Sequence, residues 1–285
     1  MASWQDGYWH NADGLKLHYR DYPGGEKRPP ILCLPGLTRN ARDFEGVADR
    51  LSGKWRLICV DLRGRGDSAY APDPSSYVPA AYLQDLQALL DTLELKRIVA
   101  FGTSLGGLLT MMLAAARPGL LAGALINDIG PEIDPRGVER IRSIVGRANA
   151  WPTWLHAARF FAETQGALSP HWPLERWLIH AKRLCRLNQQ GRIVLDYDMR
   201  IAEPFKSQQT GTPSLWPIFP ALADVPVCTI RGGLSDILTE ATLRRMKAEL
   251  PQLDAVTIAD VGHAPTLEEP EAVAAIDKLL SKVRA

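Results

Sequence analysis

Gly102-Thr103-Ser104-Leu105-Gly106 sets a hydroxyl between two glycines. A short β-prone apolar run (97–101) leads into it, and a longer alanine-rich apolar run (108–116) leads out. Strand, tight turn and helix in that order push a serine out of the chain path in a strained conformation, while the glycines let strand and helix pass closely. The helix N-terminus then faces whatever the serine attacks and favours developing negative charge there. The chemistry implied is nucleophilic attack by Ser104 on a carbonyl. A serine hydroxyl is a poor nucleophile near neutral pH, so it needs a base, and the base needs an orienting carboxylate. His263, in Asp260-Val-Gly-His-Ala-Pro265, follows one apolar run. Asp236, in Arg231-Gly-Gly-Leu-Ser-Asp-Ile237, follows the run before it. Asp128, in Asn127-Asp-Ile-Gly-Pro131, follows a third run and is the rival acid. Asp236 has another possible use, as the N-cap of a helix over 237–250.

These residues must be carried by a scaffold. Residues 15–20 alternate apolar and polar, as a strand with one wet face does. The short apolar runs at 31–34 and 57–60 read as buried parallel strands, 97–101 as a buried strand, and 124–127, 227–230 and 255–258 as further strands. Helical spacing is expected at about 43–52, 82–93, 108–116 and 240–250. A final helix is expected over 270–283, with Pro270 in its first turn. Alternating strands and helices predict an α/β fold, a mostly parallel sheet with helices on both faces. In such a sheet the loops bearing Ser104, Asp236 and His263 share the C-terminal edge, where sites form. Residues 131–215 break the alternation. They are proline-interrupted, rich in tryptophan and phenylalanine, and show no convincing strand pair. We read them as a helical cap inserted between a first core part, 1–130, and a second, 216–285. Its aromatic residues are expected mostly to pack, with a minority lining an apolar pocket over Ser104.

Asp61-Leu-Arg-Gly-Arg-Gly-Asp-Ser68 is similar to a D-x-R-G-x-G-x-S segment. With the serine turn, Ser235-Asp236 and Gly262-His263, it makes the chain resemble α/β-hydrolase-fold proteins of the esterase, lactonase and C–C hydrolase type. The order Ser104, Asp236, His263 is the one that fold uses. The resemblance covers roughly 10–130 and 216–285. It implies a serine hydrolase with Ser104, Asp236 and His263 as catalytic triad, cleaving a small, largely apolar carboxylic ester or lactone through an acyl-enzyme. It also implies an oxyanion hole made by the backbone amides of Leu37 and Leu105. Family members commonly carry His-Gly where this chain has Pro35-Gly36. Hydrolysis of a carbon–carbon bond in an aromatic ring-cleavage product, and a non-hydrolytic ligand receptor, are the alternatives on the same scaffold.

Composition narrows the rest. The 285 residues are 46% hydrophobic and 23% charged, enough for a full core. A formal net charge of +1 offers no electrostatic attraction to nucleic acid or an anionic membrane. Arginines 136, 140, 142 and 147 read as a solvated helix face. No signal peptide or apolar span is visible, and the cytoplasm is the expected compartment. Cys33, Cys59 and Cys228 sit in apolar runs and read as buried thiols. His156, His171 and His180 lack metal-ligand spacing, so neither a metal nor an organic cofactor is expected. The expected partner is a small-molecule substrate.

Overall fold

In a computed structural model, residues 2–207 and 213–284 are described. The short apolar runs become strands of one eight-stranded sheet. Its first half contains β1 (Gln5–His10), β2 (Lys16–Tyr22), β3 (Ile31–Leu34), α1 (Glu45–Leu51), β4 (Leu57–Asp61), α2 (Pro79–Thr92), β5 (Ile98–Thr103), α3 (Leu105–Ala116) and β6 (Leu121–Asn127). An intervening segment contains α4 (Pro135–Ile144), β7 (Ala150–Trp151), α5 (Trp154–Gln165), α6 (Leu174–Leu184), β8 (Cys185–Leu187), β9 (Ile193–Leu195) and α7 (Ala202–Ser207). The chain then returns through β10 (Val227–Gly232), α8 (Glu240–Glu249), β11 (Asp254–Ile258) and α9 (Pro270–Lys282). The sheet order is β1-β2-β4-β3-β5-β6-β10-β11. β1 and β2 are antiparallel to their neighbours, and the other pairs are parallel.

Every residue of β3, β4 and β6 is buried, which is why these strands read as continuous apolar runs. Alternate side chains feed two cores. Leu32, Leu34, Ile58, Val60 and Ile126 meet α2, α3 and α8 on one face. Ile31, Cys33, Leu57, Cys59 and Phe101 meet α1 and α9 on the other. Each fully buried aliphatic side chain contributes about 1.5–3 kcal/mol of transfer free energy. The α/β layering is therefore the one expected, with helices on both faces. All four cysteines are free and buried.

The segment after β6 departs from expectation in one respect. It contains a three-stranded antiparallel sheet, ordered β7-β9-β8, alongside its helices. A third core there gathers Trp151, Phe161, Trp177, Leu184 and Ile193. Asn40 and Arg42, from the loop after β3, reach across to the end of α6 and donate to the Arg183 carbonyl at 3.0 and 3.2 Å. Arg42 also pairs with Asp196. Among the described residues, no helix is long and apolar enough to cross a membrane.

Candidate active site

Ser104 stands between β5 and α3 with φ 53° and ψ −115°. A non-glycine residue in the left-handed region is uncommon and costs about 1 kcal/mol or more. Packing enforces it. A Cβ on Gly106 would lie 1.9 Å from the Leu34 carbonyl oxygen, and one on Gly102 would lie 2.3 Å from the Gly106 oxygen. Only glycines let α3 descend onto β3 and β5 at this corner. The Ser104 amide donates to the Asn127 carbonyl at 2.9 Å, tying the turn to β6.

His263 arrives on the loop after β11. Its Nε2 lies 2.9 Å from Ser104 Oγ, and its Nδ1 lies 2.7 Å from Asp128 Oδ2. An ionised carboxylate only accepts, so Nδ1 carries the proton and Nε2 is free to accept from the serine hydroxyl. Asp128 sits one residue past β6, fully buried, and its other oxygen accepts from the Gly232 amide at 2.8 Å. Asn127 fixes the same assembly by donating to the Pro265 carbonyl at 2.8 Å and to Thr103 Oγ1 at 3.1 Å.

The expected partner of His263, Asp236, is not the residue found there. Asp236 lies four residues beyond the end of β10, and its carboxylate receives Arg140 Nε at 2.5 Å and Nη2 at 2.8 Å. Burial raises the pKa of Asp236, but the Arg140 hydrogen bonds outweigh it, and the net shift is downward. Nor does Asp236 cap a helix, because Thr239 caps α8. The rival, Asp128, occupies the position beside the histidine.

The loop after β3 faces the serine. A Cβ on Gly36 would lie 3.7 Å from Ser104 Cβ, so this backbone closes directly on Ser104 and brings Leu37 to the same corner as Leu105, the first residue of α3. The 61–68 motif acts as the brace for this loop. Arg65 is fully buried and donates to the Leu37 carbonyl at 2.9 Å, the Arg63 carbonyl at 2.6 Å and Tyr82 Oη at 3.1 Å. Arg63 forks onto the buried Asp85 with two 2.6 Å bonds. Asp61 receives the Ala41 and Asp67 amides and lies 2.7 Å from His18 Nδ1. The motif's string was visible in the sequence, but its work as the support of the Leu37 loop was not. Among the described residues, His18, Asp61 and Asp67 also form the one grouping that could ligate a metal. It lies outside the cavity of Ser104, and Asp61 already receives those three bonds.

A cavity of about 920 Å³ opens over Ser104 and His263. Phe160, Phe161, Trp172, Trp177 and Tyr197 line it, but so do Arg39, Arg140, Arg147, Arg176 and Arg183, against one carboxylate, Asp43. The expected apolar pocket is thus half right. Arg140 and Arg147, read as solvated, face this space. His180 also lines it. Burial, then the guanidiniums of Arg39, Arg183 and Arg176, hold its pKa well below the usual histidine range. Its Nε2 is buried with no hydrogen bond from a described residue.

Residues 31–276 match the model of the alpha/beta hydrolase family. The chain belongs to the alpha/beta hydrolase family. It is 33% identical to a 3-hydroxybutyrate-oligomer hydrolase of Cupriavidus necator, over 91% of this chain and 90% of that one. It is 27% identical to a 2-(acetamidomethylene)succinate hydrolase of Mesorhizobium japonicum, over 90% and 88% of the two chains. The solved structure of an alpha/beta hydrolase from Novosphingobium aromaticivorans superposes with a TM-score of 0.96 at 54% identity, covering 99% of this chain and 100% of that one. The chain is a hydrolase of the ester-cleaving kind.

Proposed function

We propose that the enzyme cleaves a small carboxylic ester or lactone through an acyl-enzyme on Ser104, with His263 as base and Asp128, in place of Asp236, as the triad acid. The observation that carries this is the unbroken relay Ser104 Oγ, His263 Nε2, His263 Nδ1, Asp128 Oδ2, opening onto the cavity. His263 Nε2 takes the hydroxyl proton as Oγ bonds to the substrate carbonyl carbon. The oxyanion is received by the amides of Leu37 and Leu105, each worth on the order of 3 kcal/mol to the transition state. The imidazolium returns the proton to the departing alcohol, leaving an acyl-serine. A water then gives its proton to His263, attacks the acyl carbon and releases the acid, restoring Ser104. The 3-hydroxybutyrate-oligomer hydrolase relative favours esters of short hydroxy acids, which the volume accommodates.

The test is Ser104→Ala assayed on 4-nitrophenyl acetate, beside labelling of the parent enzyme with a fluorophosphonate. Turnover should fall by roughly 10⁴-fold or more, and the label should map to Ser104. A label elsewhere, or near-native turnover by the variant, defeats this reading.

A further inference from the structure

The cavity wall formed by residues 140–149 carries Arg140, Arg147 and Asn149 and no carboxylate. The other arginines of the cavity are differently placed. Arg39 forks onto Asp43, which shares the cavity with it, so that pair presents little net charge. Arg176 and Arg183 both reach Glu268, and Arg176 spends its other nitrogen on Thr266. Arg140 is held by a carboxylate that lies behind it. Asp236 is not part of the lining, yet it takes both Nε and Nη2. The remaining nitrogen, Nη1, makes no hydrogen bond to a described residue. A guanidinium gripped along one edge keeps its other N–H groups in a fixed plane, already oriented for an oxyanion.

The grip is stiff. A Cβ on Gly137 would lie 2.4 Å from the Asp236 carbonyl oxygen, so α4 is seated directly on the Asp236 loop. About a third of each side chain in the Arg140–Asp236 pair remains exposed, so the pair is open to a ligand. Arg147, on the same wall, forms no ion pair with a described residue and adds an uncompensated positive charge.

We propose that Arg140, supported by Arg147, binds a free carboxylate of the substrate, so that the ester cleaved at Ser104 is one that also carries an unesterified acid group. Asp236 is a positioning residue for Arg140. This rests on the esterase reading of Ser104 and specifies its substrate class.

The test compares 3-acetoxybutyrate with its neutral carboxamide, 3-acetoxybutyramide, which has the same shape without the charge. The ratio of their kcat/KM values is the readout. The parent enzyme should prefer the carboxylate by roughly 10- to 100-fold, the scale of a charge-assisted contact. Arg140→Met should lower that ratio at least ~10-fold, chiefly by raising KM for the carboxylate, because the contact exists before and during reaction. Asp236→Asn should lower it less, since the guanidinium remains but loses its brace. Arg136→Met, an exposed residue of the same helix paired with Asp134, should leave the ratio unchanged. Equal kcat/KM for the two substrates in the parent enzyme, or an Arg140→Met ratio equal to the parent's, overturns the carboxylate site alone. Absence of turnover of both, with no fluorophosphonate label on Ser104, overturns the esterase reading and this proposal with it.

Discussion

Replacing Asp128 by asparagine should cost the enzyme about 10⁴-fold in kcat, or roughly 5.5 kcal/mol of transition-state free energy. The figure follows from how the side chain is held. One oxygen of Asp128 accepts from the Gly232 amide at 2.8 Å and the other meets His263 Nδ1 at 2.7 Å, with the carboxylate fully buried. In the variant the Gly232 N–H still demands an acceptor, so the amide oxygen turns to it and the NH₂ group faces the imidazole. Nδ1 must then accept, the proton moves to Nε2, and an N–H points at Ser104 Oγ where a lone pair is needed. The base is thereby disabled in its resting tautomer, and the imidazolium that forms later loses its counter-charge. The geometry is nearly isosteric, so the fold should persist. Stopped assays on 4-nitrophenyl acetate, with circular dichroism as the control for folding, measure the effect. Asp236→Asn, assayed alongside, should change kcat by less than ~10-fold. The reverse ranking would return the acid's role to Asp236 and refute the argument.

Two further outcomes test other parts of the account. Gly106→Ala drives a Cβ to 1.9 Å from the Leu34 carbonyl, a backbone atom of a buried strand, and should destabilise by ~3 kcal/mol or more, lowering Tm by about 6 °C or more. A Tm within about 1 °C of the parent's would show that α3 moves aside freely. His180, whose pKa is depressed by burial and by Arg39, Arg183 and Arg176, stays unprotonated in the fold, while the unfolded chain takes up its proton near pH 6.5. Below that pH the unfolded state binds more protons, so this residue erodes stability by up to about 1.4 kcal/mol per pH unit as pH falls. His18 acts in the opposite sense: burial opposes its protonation, but the Asp61 hydrogen bond prevails and raises its pKa, so its contribution is present at acid pH and fades as pH rises. Urea midpoints at pH 7.5 and pH 5 should therefore differ less in His180→Phe than in the parent, and an identical difference would refute the assignment.

The strand–turn–helix placement of Ser104 was legible because its signal is local: two glycines, a strand before, a helix after. The core strands were legible because a strand buried on both faces has no polar residue to interrupt it, as in Leu57–Asp61 up to its last position. Which aspartate lies beside His263 was legible only as a choice between Asp236 and Asp128, because both follow neighbouring parallel strands at one sheet edge. Whether each meets His263 turns on loop reach, one residue past β6 against four past β10. β1 escaped because four of its six residues, Gln5, Asp6, Tyr8 and His10, are exposed and only Trp9 is buried, which leaves no apolar alternation. β7, β8 and β9 escaped because two or three residues are too few to show a period. That Arg140 and Arg147 also line the cavity was not legible, because cationic residues pattern alike in sequence whether they meet open water or a cavity. Only the fold places Asp236 behind one of them.

Asn127 and Pro265 are joined by a hydrogen bond across 138 residues of chain, and Ser104 meets His263, 159 residues away. The strand that leads into Ser104, β5, lies inside the sheet, whereas β11, which leads to His263, is added at its edge. Contacts so distant in sequence form late, because their loop-closure entropy is met only once the intervening sheet exists. Recovery of ester turnover after dilution from denaturant should accordingly lag behind recovery of helical circular dichroism. That makes enzymatic activity a clock for the last closure of the sheet.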